Sequence, residues 1–557
     1  MNILLIPSAN ILSPEMQKKF GVLPSALCPY NNKTILEHII EKYKSIVDQV
    51  YIISYRKPEL FKNYINVKNL NIKQIQIDSI KDIGYSISFA LSSLAASGYT
   101  INQLYITFGD TLTNNVPVAQ SDVIYYDRKP VGGDKWTMFS ENNGVLIDII
   151  DKNDSQQCST QLRDIFIGEF AISNVSFFTE VLMAQLAVSG ESDSFYQALF
   201  TYSKSLPFSF ILAKEWVDVG HPLPAFKAKQ GAAARSFNTI QLDPNRGILK
   251  KKSENKEKFI DEIKWYISLP SNLQYLAPRI YSYSLDPEYP YVSMEYYGYD
   301  TLHELFVYGK LPLTVWRGIF EHIHFILEDM RGYVPQLSVA EQIKQHLQDF
   351  YVEKTRSRLL TLKDDPLFVN MFKDDIVING VKYHSLSHYL EILPSLVEDY
   401  LLSPEINKIC VTHGDLCFTN ILVETDYNFM RLIDPRGSFG DESSIFGDSR
   451  YDIAKLMHSL EGGYDYIIED MVKVSVDGNE ISFDNPCRSP KLIALFKEVF
   501  SDYLVENIAI ELIEATLFLS MVPLHRDFKT RQIAMLATGI ILLENVLSLK
   551  EKEDRLR

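Results

Sequence analysis

Cysteine is scarce in this 557-residue chain, with five residues (Cys28, Cys158, Cys410, Cys417, Cys487) that are scattered, odd in number and without a CxxC pair. That pattern gives no disulfide framework and no zinc signature, and it fits reduced thiols in a cytoplasmic protein. Positive charge is also short: 55 Lys and Arg stand against 71 Asp and Glu, for a net charge of −16. A nucleic-acid backbone as the main partner needs clustered cations and is excluded, whereas a mononucleotide needs only a few cations, backbone amides and a metal. Long apolar runs are missing as well. The longest candidates, such as Ile540 to Leu549, are interrupted by Glu544, Asn545 and Ser548, so no membrane insertion is expected. The opening MNILLIPSAN has neither the basic start nor the apolar stretch of a signal peptide.

What is present reads as globular, with 46% apolar and 23% charged residues. The length exceeds what one core supports, so two to four domains are expected. The first 230 residues alternate short β-rich runs with helical patterns: Asn2 to Pro7, then a helix over Lys33 to Tyr43, then strands at Gln49 to Ser54 and Gln103 to Phe108. This alternation predicts an α/β domain with a doubly wound, mostly parallel sheet. Ligands of such sheets bind beyond the carboxyl ends of strands, where the Pro7 loop and Asp110 fall. The small-residue stretch Ala225 to Ala234 marks a boundary, giving domains 1–232 and 233–557. Beyond it come two strands within Phe237 to Lys252, joined by a turn at Asp243 to Gly247. A helix over Lys256 to Ser268 and a strand at Pro290 to Tyr296 follow; from Thr301 the pattern is mainly helical, broken by β-like Ile409 to Asp434. The second domain is thus α+β, with an N-lobe over about 233–300 and a C-lobe over about 301–557. The alternating Tyr281, Tyr283, Tyr289 and Tyr291 read as strand packing.

The strongest signal is VTHGDLCFTNILVETDYNFMRLIDPRG, from Val411 to Gly437. A loop Asp, an Asn five residues later and an Asp ending the next apolar strand supply what phosphoryl transfer asks of a protein. One carboxylate orients or accepts the proton of the attacking hydroxyl, and an amide oxygen with a second carboxylate holds Mg²⁺ against the phosphates. Either piece alone reads equally well as a surface turn or a strand-end cap; their order and spacing, with Asp448 and Asp452 behind them, make coincidence a poor account.

This segment resembles the aminoglycoside phosphotransferase and choline kinase family, with its H-G-D-x-x-x-x-N followed by a strand ending I-D. The resemblance implies a protein-kinase-like fold and an ATP- and Mg²⁺-dependent kinase for a small hydroxyl-bearing molecule. It makes Asp415 the catalytic base, Asn420 and Asp434 metal ligands, His413 a brace for the loop, and Asp452 in GDSRYDIAKL its buttress. In such folds a strand lysine holds the donor phosphates and pairs with a helix glutamate. Lys251, in the run Lys250-Lys251-Lys252, and Glu262, in FIDEIKWY, fill those places, against the alternative of a solvated basic strand end. No GxGxxG loop precedes the lysine. Ser293 to Tyr297 (SMEYY), with Glu295 at its centre, is the candidate hinge for adenine.

The first domain carries LPSALCPYNNKTILEHII (Leu23 to Ile40), DIGYSI with Gly84 and Ser86, TFGDT with Asp110, IDIIDKN with Lys152, IGEF with Gly168 and WVDVGHP with Asp218. Together these resemble the sugar-nucleotidyltransferase family and imply a GT-A-like fold. The resemblance places Gly84 and Ser86 at the nucleotide base, Ser8 in the phosphate loop, Lys152 at the substrate phosphate, and Asp110 with Asp218 on Mg²⁺. The chain departs from the family at two points: Pro7-Ser8-Ala9-Asn10-Ile11 replaces the Gly-rich G-x-G-T/S-R signature, and Ser25 replaces a lysine. A glycine-poor loop offers fewer close amides to a triphosphate. The domain is then an active variant drawing charge from Lys18, Lys19 or Lys152, or a nucleotide- or sugar-phosphate-binding module, or a scaffold.

The two resemblances together imply consecutive steps: ATP-dependent phosphorylation of an alcohol or sugar, then coupling of the phosphate to an NTP, CTP among the candidates. Fusions of this appearance resemble bacterial capsule and surface-polysaccharide biosynthesis proteins. The alternatives are a kinase carrying a non-catalytic binding module, and a fully degenerate regulatory protein. The alcohol, the NTP and the oligomeric state are left open.

Overall fold

The computed structural model describes the chain apart from residues 32, 80, 132–135, 151–158, 190–193, 219–237, 244, 403–407, 425, 441 and 557. It divides into two compact units, one of Met1–Ala232 with the short stretch Tyr308–Lys310, the other of Ala233–Val307 and Leu311–Arg557. The predicted 225–234 boundary stretch lies outside the described residues.

The first unit is wound around the strand Asn2–Pro7, flanked in parallel by Gln49–Ser54 and Gln103–Thr107, with Ile72–Gln76 parallel beyond Gln49–Ser54. Almost every residue of these inner strands is buried, which is why they read as unbroken apolar runs. The doubly wound α/β fold is therefore present. Its other half turns antiparallel around the long strand Ser159–Ile172, which pairs with Gln103–Thr107, Val123–Val131 and Met138–Asn142. Helix Ile83–Ala96 and the helices Val175–Ser189 and Ser194–Ser205 close one face, packing Ile87, Leu91, Phe178, Phe195 and Tyr202 on Leu104, Ile106 and Phe170. Each such large apolar side chain contributes roughly 1.5–3 kcal/mol on burial. Helix Ile35–Tyr43 starts in a capping box: Thr34 Oγ1 accepts from the Glu37 amide, and the Glu37 carboxylate accepts from the Thr34 amide.

The second unit begins with an antiparallel sheet in the order Asn238–Asp243, Ile248–Ser253, Tyr291–Glu295, Ile280–Ser284, with helix Lys256–Ser268 packed on it. Asn255 caps that helix through the Lys258 amide. The expected β segment resolves into Ile409–Val411, Ile421–Val423 and Met430–Leu432, so Asp415 and Asn420 lie on a loop and Asp434 just past a strand. Helices Leu313–Arg331, Leu386–Tyr400, Ser449–Leu460, Pro490–Val499, Asn507–Met521 and Lys529–Leu556 build the rest. One element escaped the sequence reading: a four-stranded sheet of Ile376–Ile378, Val381–Tyr383, Lys473–Asp477 and Glu480–Asp484. Its signal was there in Asn379-Gly380, a two-residue hairpin turn with both φ angles positive.

A second expectation needs correction. The helices Asn507–His525 and Lys529–Arg555 are long and apolar enough to pass a membrane-span test, with mean hydropathies of 1.5 and 1.7. Reading uninterrupted runs stopped at residues such as Glu544, but that carboxylate is a partly buried acceptor for the Tyr389 hydroxyl at 2.7 Å rather than a break. The two helices pack on each other, and 72% and 67% of their most apolar windows are buried inside the unit.

Gly437 ties the strand-end loop to helix Lys256–Ser268. Its φ is +67°, and a Cβ there would sit 2.0 Å from the carbonyl oxygen of Asp261. Gly247 has a similar φ of +64° with open space around it. Gly437→Ala is therefore expected to cost about 3 kcal/mol or more and Gly247→Ala about 1 kcal/mol, read from denaturant midpoints. Equal losses would show that backbone conformation, rather than close approach, sets the cost.

Candidate active sites

In the second unit, every group of the predicted kinase centre meets another. Lys251 is buried on the strand Ile248–Ser253, and its Nζ lies 2.8 and 2.9 Å from the two Glu262 carboxylate oxygens and 2.8 Å from Asp434 Oδ1. Burial pulls the ammonium down, but Asp434 and Glu262 outweigh it and hold the lysine above its ordinary value. Glu262 faces Lys251 from the helix because α-helical periodicity also brings Tyr266, four residues on, to the same face. The Tyr266 hydroxyl accepts from the Asp434 amide at 2.9 Å, holding Asp434 at φ +55°, a conformation a non-glycine residue adopts only when its surroundings fix it. Glu295 ends the strand Tyr291–Glu295, where its carboxylate accepts from the Tyr297 hydroxyl at 2.8 Å.

The Asp415 loop is held from behind. The buried Asp452 carboxylate accepts the amides of His413 and Gly414, both at 2.8 Å. The His413 ring accepts from the Asp415 amide through Nδ1 and donates from Nε2 to the Ile433 carbonyl at 3.0 Å. That bond joins the loop to the strand carrying Asp434. Trp265 packs edge-on against the His413 ring and donates to the Thr412 carbonyl at 2.7 Å. Asn420 spends its Nδ2 on the Asp415 main-chain carbonyl at 2.9 Å and on Oδ2 at 3.2 Å. Among the described residues, its Oδ1 then meets only the Thr419 hydroxyl, at 3.4 Å. Asp415 Oδ1 is 2.7 Å from Lys455 Nζ.

Lys455 and Tyr266 were not singled out from sequence. Each shares a helix face with a residue that was: Lys455 lies three residues past Asp452, and Tyr266 four past Glu262. The donors that would hold a divalent cation are an amide oxygen, Asn420 Oδ1, and the partly exposed Asp434 carboxylate. All are hard oxygen ligands of the kind Mg²⁺ takes.

In the first unit, the loop after Asn2–Pro7, the Ser25–Leu27 turn and Gly109 converge. Ser8 Oγ lies 3.2 Å from Ser25 Oγ and accepts from the Ala26 amide at 3.2 Å, while the Ser8 amide donates to Ile53 at 3.0 Å. A Cβ on Gly109 would come within 2.8 Å of Ser8. The buried Ser8 thus ties two loops together through its amide and its hydroxyl oxygen. Ser86 is similarly turned inward, its hydroxyl donating to the Asp82 carbonyl at 3.2 Å. Gly84 lets the start of its helix approach Ser194, whose Oγ would be 2.5 Å from a Cβ there.

Asp218 sits opposite Thr111 in a short antiparallel pair, one residue from Asp110, and its Oδ2 accepts from Trp136 Nε1 at 3.0 Å. The pairing brings the backbones of Asp110 and Asp218 close together, and carboxylate oxygens are ligands of the kind Mg²⁺ takes. Gly168, at φ +80°, lies against the Phe108 ring just before them. Lys152 lies outside the described residues.

The IGEF segment holds a buried network that the sequence did not announce. Fully buried Glu169 ion-pairs with Lys42, and accepts from Tyr43 Oη at 2.7 Å and Thr113 Oγ1 at 2.8 Å. Burial depresses the Lys42 ammonium, and Glu169 only partly restores it. Burial and Glu169 together drive the Tyr43 phenol well above its usual range.

No family model matches the chain. The bifunctional protein GlmU of Methanococcus aeolicus is 26% identical over 130 residues, 23% of this chain and 31% of that protein, so the chain spans about a third of the curated relative it matches. Among solved structures, HddC from Yersinia pseudotuberculosis complexed with GMP-PN is 13% identical, covering 41% of this chain and 98% of its own with a TM-score of 0.30. CTP:phosphocholine cytidylyltransferase (LicC) from Streptococcus pneumoniae is 14% identical, covering 41% and 97% with a TM-score of 0.32. An aminoglycoside-3′-phosphotransferase of type VIII is 14% identical, covering 51% and 94% with a TM-score of 0.30. These likenesses assign this chain no substrate.

Burial lowers the His413 imidazole from 6.5 to about 4. The unfolded chain takes up a proton at His413 as pH falls through 6.5, whereas the folded chain does so only near 4, so His413 costs stability on acidification across that window. Asp452, raised by burial to about 7, acts in the opposite sense. His413→Gln, with Asp452 intact, is expected to lose stability at about pH 7 and to lose less on going to about pH 5 than the parent does. Urea midpoints at both values check this; an unaltered pH dependence would rule out a neutral, buried His413.

Proposed function

We propose that the chain is a bifunctional enzyme: its C-terminal unit phosphorylates a small alcohol or sugar with ATP, and its N-terminal unit couples the phosphate product to an NTP. The observation that carries the reading is the Lys251–Glu262–Asp434 cluster set against the Asp415–Asn420 loop. Lys251, held charged, meets the donor phosphates. Asp415 receives the proton as the acceptor oxygen bonds to the γ-phosphorus and the bond to the β-phosphate oxygen breaks, releasing ADP. Lys455 keeps Asp415 oriented and ionised until then. Mg²⁺, held by Asn420 Oδ1 and Asp434, would neutralise charge on the phosphates. Such an enzyme would act in the cytoplasm, making nucleotide-activated donors for surface polysaccharide.

In the N-terminal unit, Asp110 and Asp218 would hold the metal of the nucleotidyl step. The product phosphate attacks the α-phosphorus of the NTP, and pyrophosphate leaves. A second reading, a kinase with a non-catalytic nucleotide- or sugar-binding module, is favoured by the inward-turned Ser8 and by Ser25 in place of a lysine.

With ATP, Mg²⁺ and a panel of polyols, sugars and amino and acidic alcohols, acceptor-dependent ADP release is expected to fall by about 10³-fold or more in Asp415→Ala. Release insensitive to Asp415→Ala would sink the kinase assignment. Given the kinase product and an NTP panel including CTP, pyrophosphate release is expected and should vanish in Asp110→Ala. If no NTP is consumed, the binding-module reading stands instead.

A further inference from the structure

Positive charge gathers beside Asp415 beyond what the phosphoryl step uses. Arg436, two residues past Asp434, lies against the loop: its amide donates to the His413 carbonyl at 2.9 Å, and its Cβ would lie 2.8 Å from a Cβ on Gly414. Its guanidinium carbon is 4.4 Å from the centre of the Phe350 ring, and Lys354 Nζ is 4.2 Å from the same centre. Phe350 itself is stacked on Phe439 at 4.5 Å. Arg358, one helical turn beyond Lys354, donates to the Ser520 carbonyl at 3.3 Å, and Lys455 completes the group at Asp415.

Among the described residues, neither the Lys354 ammonium nor the Arg436 guanidinium ion-pairs with a carboxylate or donates a hydrogen bond. That is unexpected in a chain with 71 acidic residues against 55 basic ones, where such cations normally find an acid. Burial, then Arg436, Arg358 and Lys455, push the Lys354 amine well below its usual value, and Asp415 alone among the named groups opposes them. Gathering like charges this way raises the energy of the unliganded site, and an anion lowers it again. Local backbone supports a built site: residues Asp349–Glu353 form a π-turn in which the Lys354 amide donates to the Asp349 carbonyl. Such turns are rare and often mark functional positions; here it sets the spacing of Phe350 and Lys354.

We propose that the kinase acceptor is an anion, a hydroxyl compound bearing a carboxylate or phosphate that Arg436 and Lys354 hold while its hydroxyl faces Asp415. The inference rests on the kinase reading above. A guanidinium held over an aromatic ring and free of carboxylates keeps its N–H groups for a planar carboxylate or a phosphate, which it can grip in two bonds. Lys354 supplies a second, point-like charge. The donor phosphates have their own lysine, Lys251, on a different element. The acceptor atoms and proton balance as in the phosphoryl step; only the anchoring group differs.

The test uses the full chain, ATP and Mg²⁺ with acceptors matched in size but not charge: glycerate and glycerol 3-phosphate, glycerol, ethanolamine, and glucose 6-phosphate beside glucose. Asp415-dependent ADP release is expected from the anionic members. Arg436→Met and Lys354→Met are expected to raise the acceptor KM about tenfold or more and leave the ATP KM within about twofold, with Arg436→Lys intermediate. Asp415-dependent turnover of neutral or cationic acceptors alone overturns the inference and leaves the kinase reading intact. Turnover insensitive to Asp415→Ala removes the kinase reading itself. A rise in the ATP KM alone assigns these cations to the donor and also overturns the inference. As a readout independent of the panel, sulfate is titrated with the nucleotide site filled by a non-hydrolysable ATP analogue and Mg²⁺. A saturable thermal upshift in the parent, lost in both methionine variants that still melt cooperatively, supports the anion site; no saturable upshift in the parent counts against it.

Discussion

The second unit depends on one buried carboxylate accepting two consecutive backbone amides. Asp452 holds His413 and Gly414 from the helix Ser449–Leu460, so the loop bearing Asp415 cannot shift without uncovering a buried charge acceptor. Everything else in the centre is referred to that anchor. His413, fixed at its backbone, bonds the Ile433 carbonyl and so sets the height of the strand ending in Asp434. Asp434 then meets Lys251, and Lys251 aligns Glu262 and its helix. Three carboxylates and one lysine are thus chained through main-chain and side-chain bonds, and a displacement anywhere is felt at both Asp415 and Lys251.

The anchor also explains why the neighbouring ionisable groups sit far from their usual values without the site being unstable. Burial raises Asp452 and lowers His413, so each approaches neutrality where the other group would otherwise carry charge beside it. Lys455 goes the other way, staying charged because Asp415 lies 2.7 Å from its ammonium. The resulting pattern is a neutral brace behind the loop and charge in front of it, where a substrate and its phosphate arrive.

Much of this was legible because the decisive residues are close in sequence or periodic. His413, Asp415 and Asn420 share one loop, and Asp434 ends the next strand, so order and spacing alone convey the constellation. Lys251 and Glu262 are eleven positions apart on adjacent elements, and their pairing needed the strand-turn-helix reading, which the structure reproduces over Lys256–Ser268. What escaped notice depends on distance or on side-chain direction. Lys42 meets Glu169 from 127 positions away, and nothing in either neighbourhood marks the pair. Phe350, Lys354 and Arg436 converge only because a π-turn and a strand-end loop face one ring, which no spacing rule anticipates. The Ser8 hydroxyl was placed by its loop, but position alone does not show that Ser25 and the Ala26 amide meet it there.

The same accounting of partners separates the two units. In the second unit, Lys251 and Lys455 have acids but Lys354 and Arg436, among the described residues, do not, the condition of a site that accepts an anion. In the first unit Lys42, which donates to Thr113 three residues past Asp110, is consumed by Glu169 and partly desolvated. Lys19 is buried beside the Phe20 ring. The charge that the missing signature lysine would have brought to a triphosphate therefore has to come from elsewhere, with Lys18, exposed on the helix Pro14–Phe20, and Lys152 left from the original candidates. An active nucleotidyl site needs such a charge, whereas a binding module does not. The question of catalysis in the first unit thus reduces to whether a single lysine reaches the phosphates beside Asp110 and Asp218.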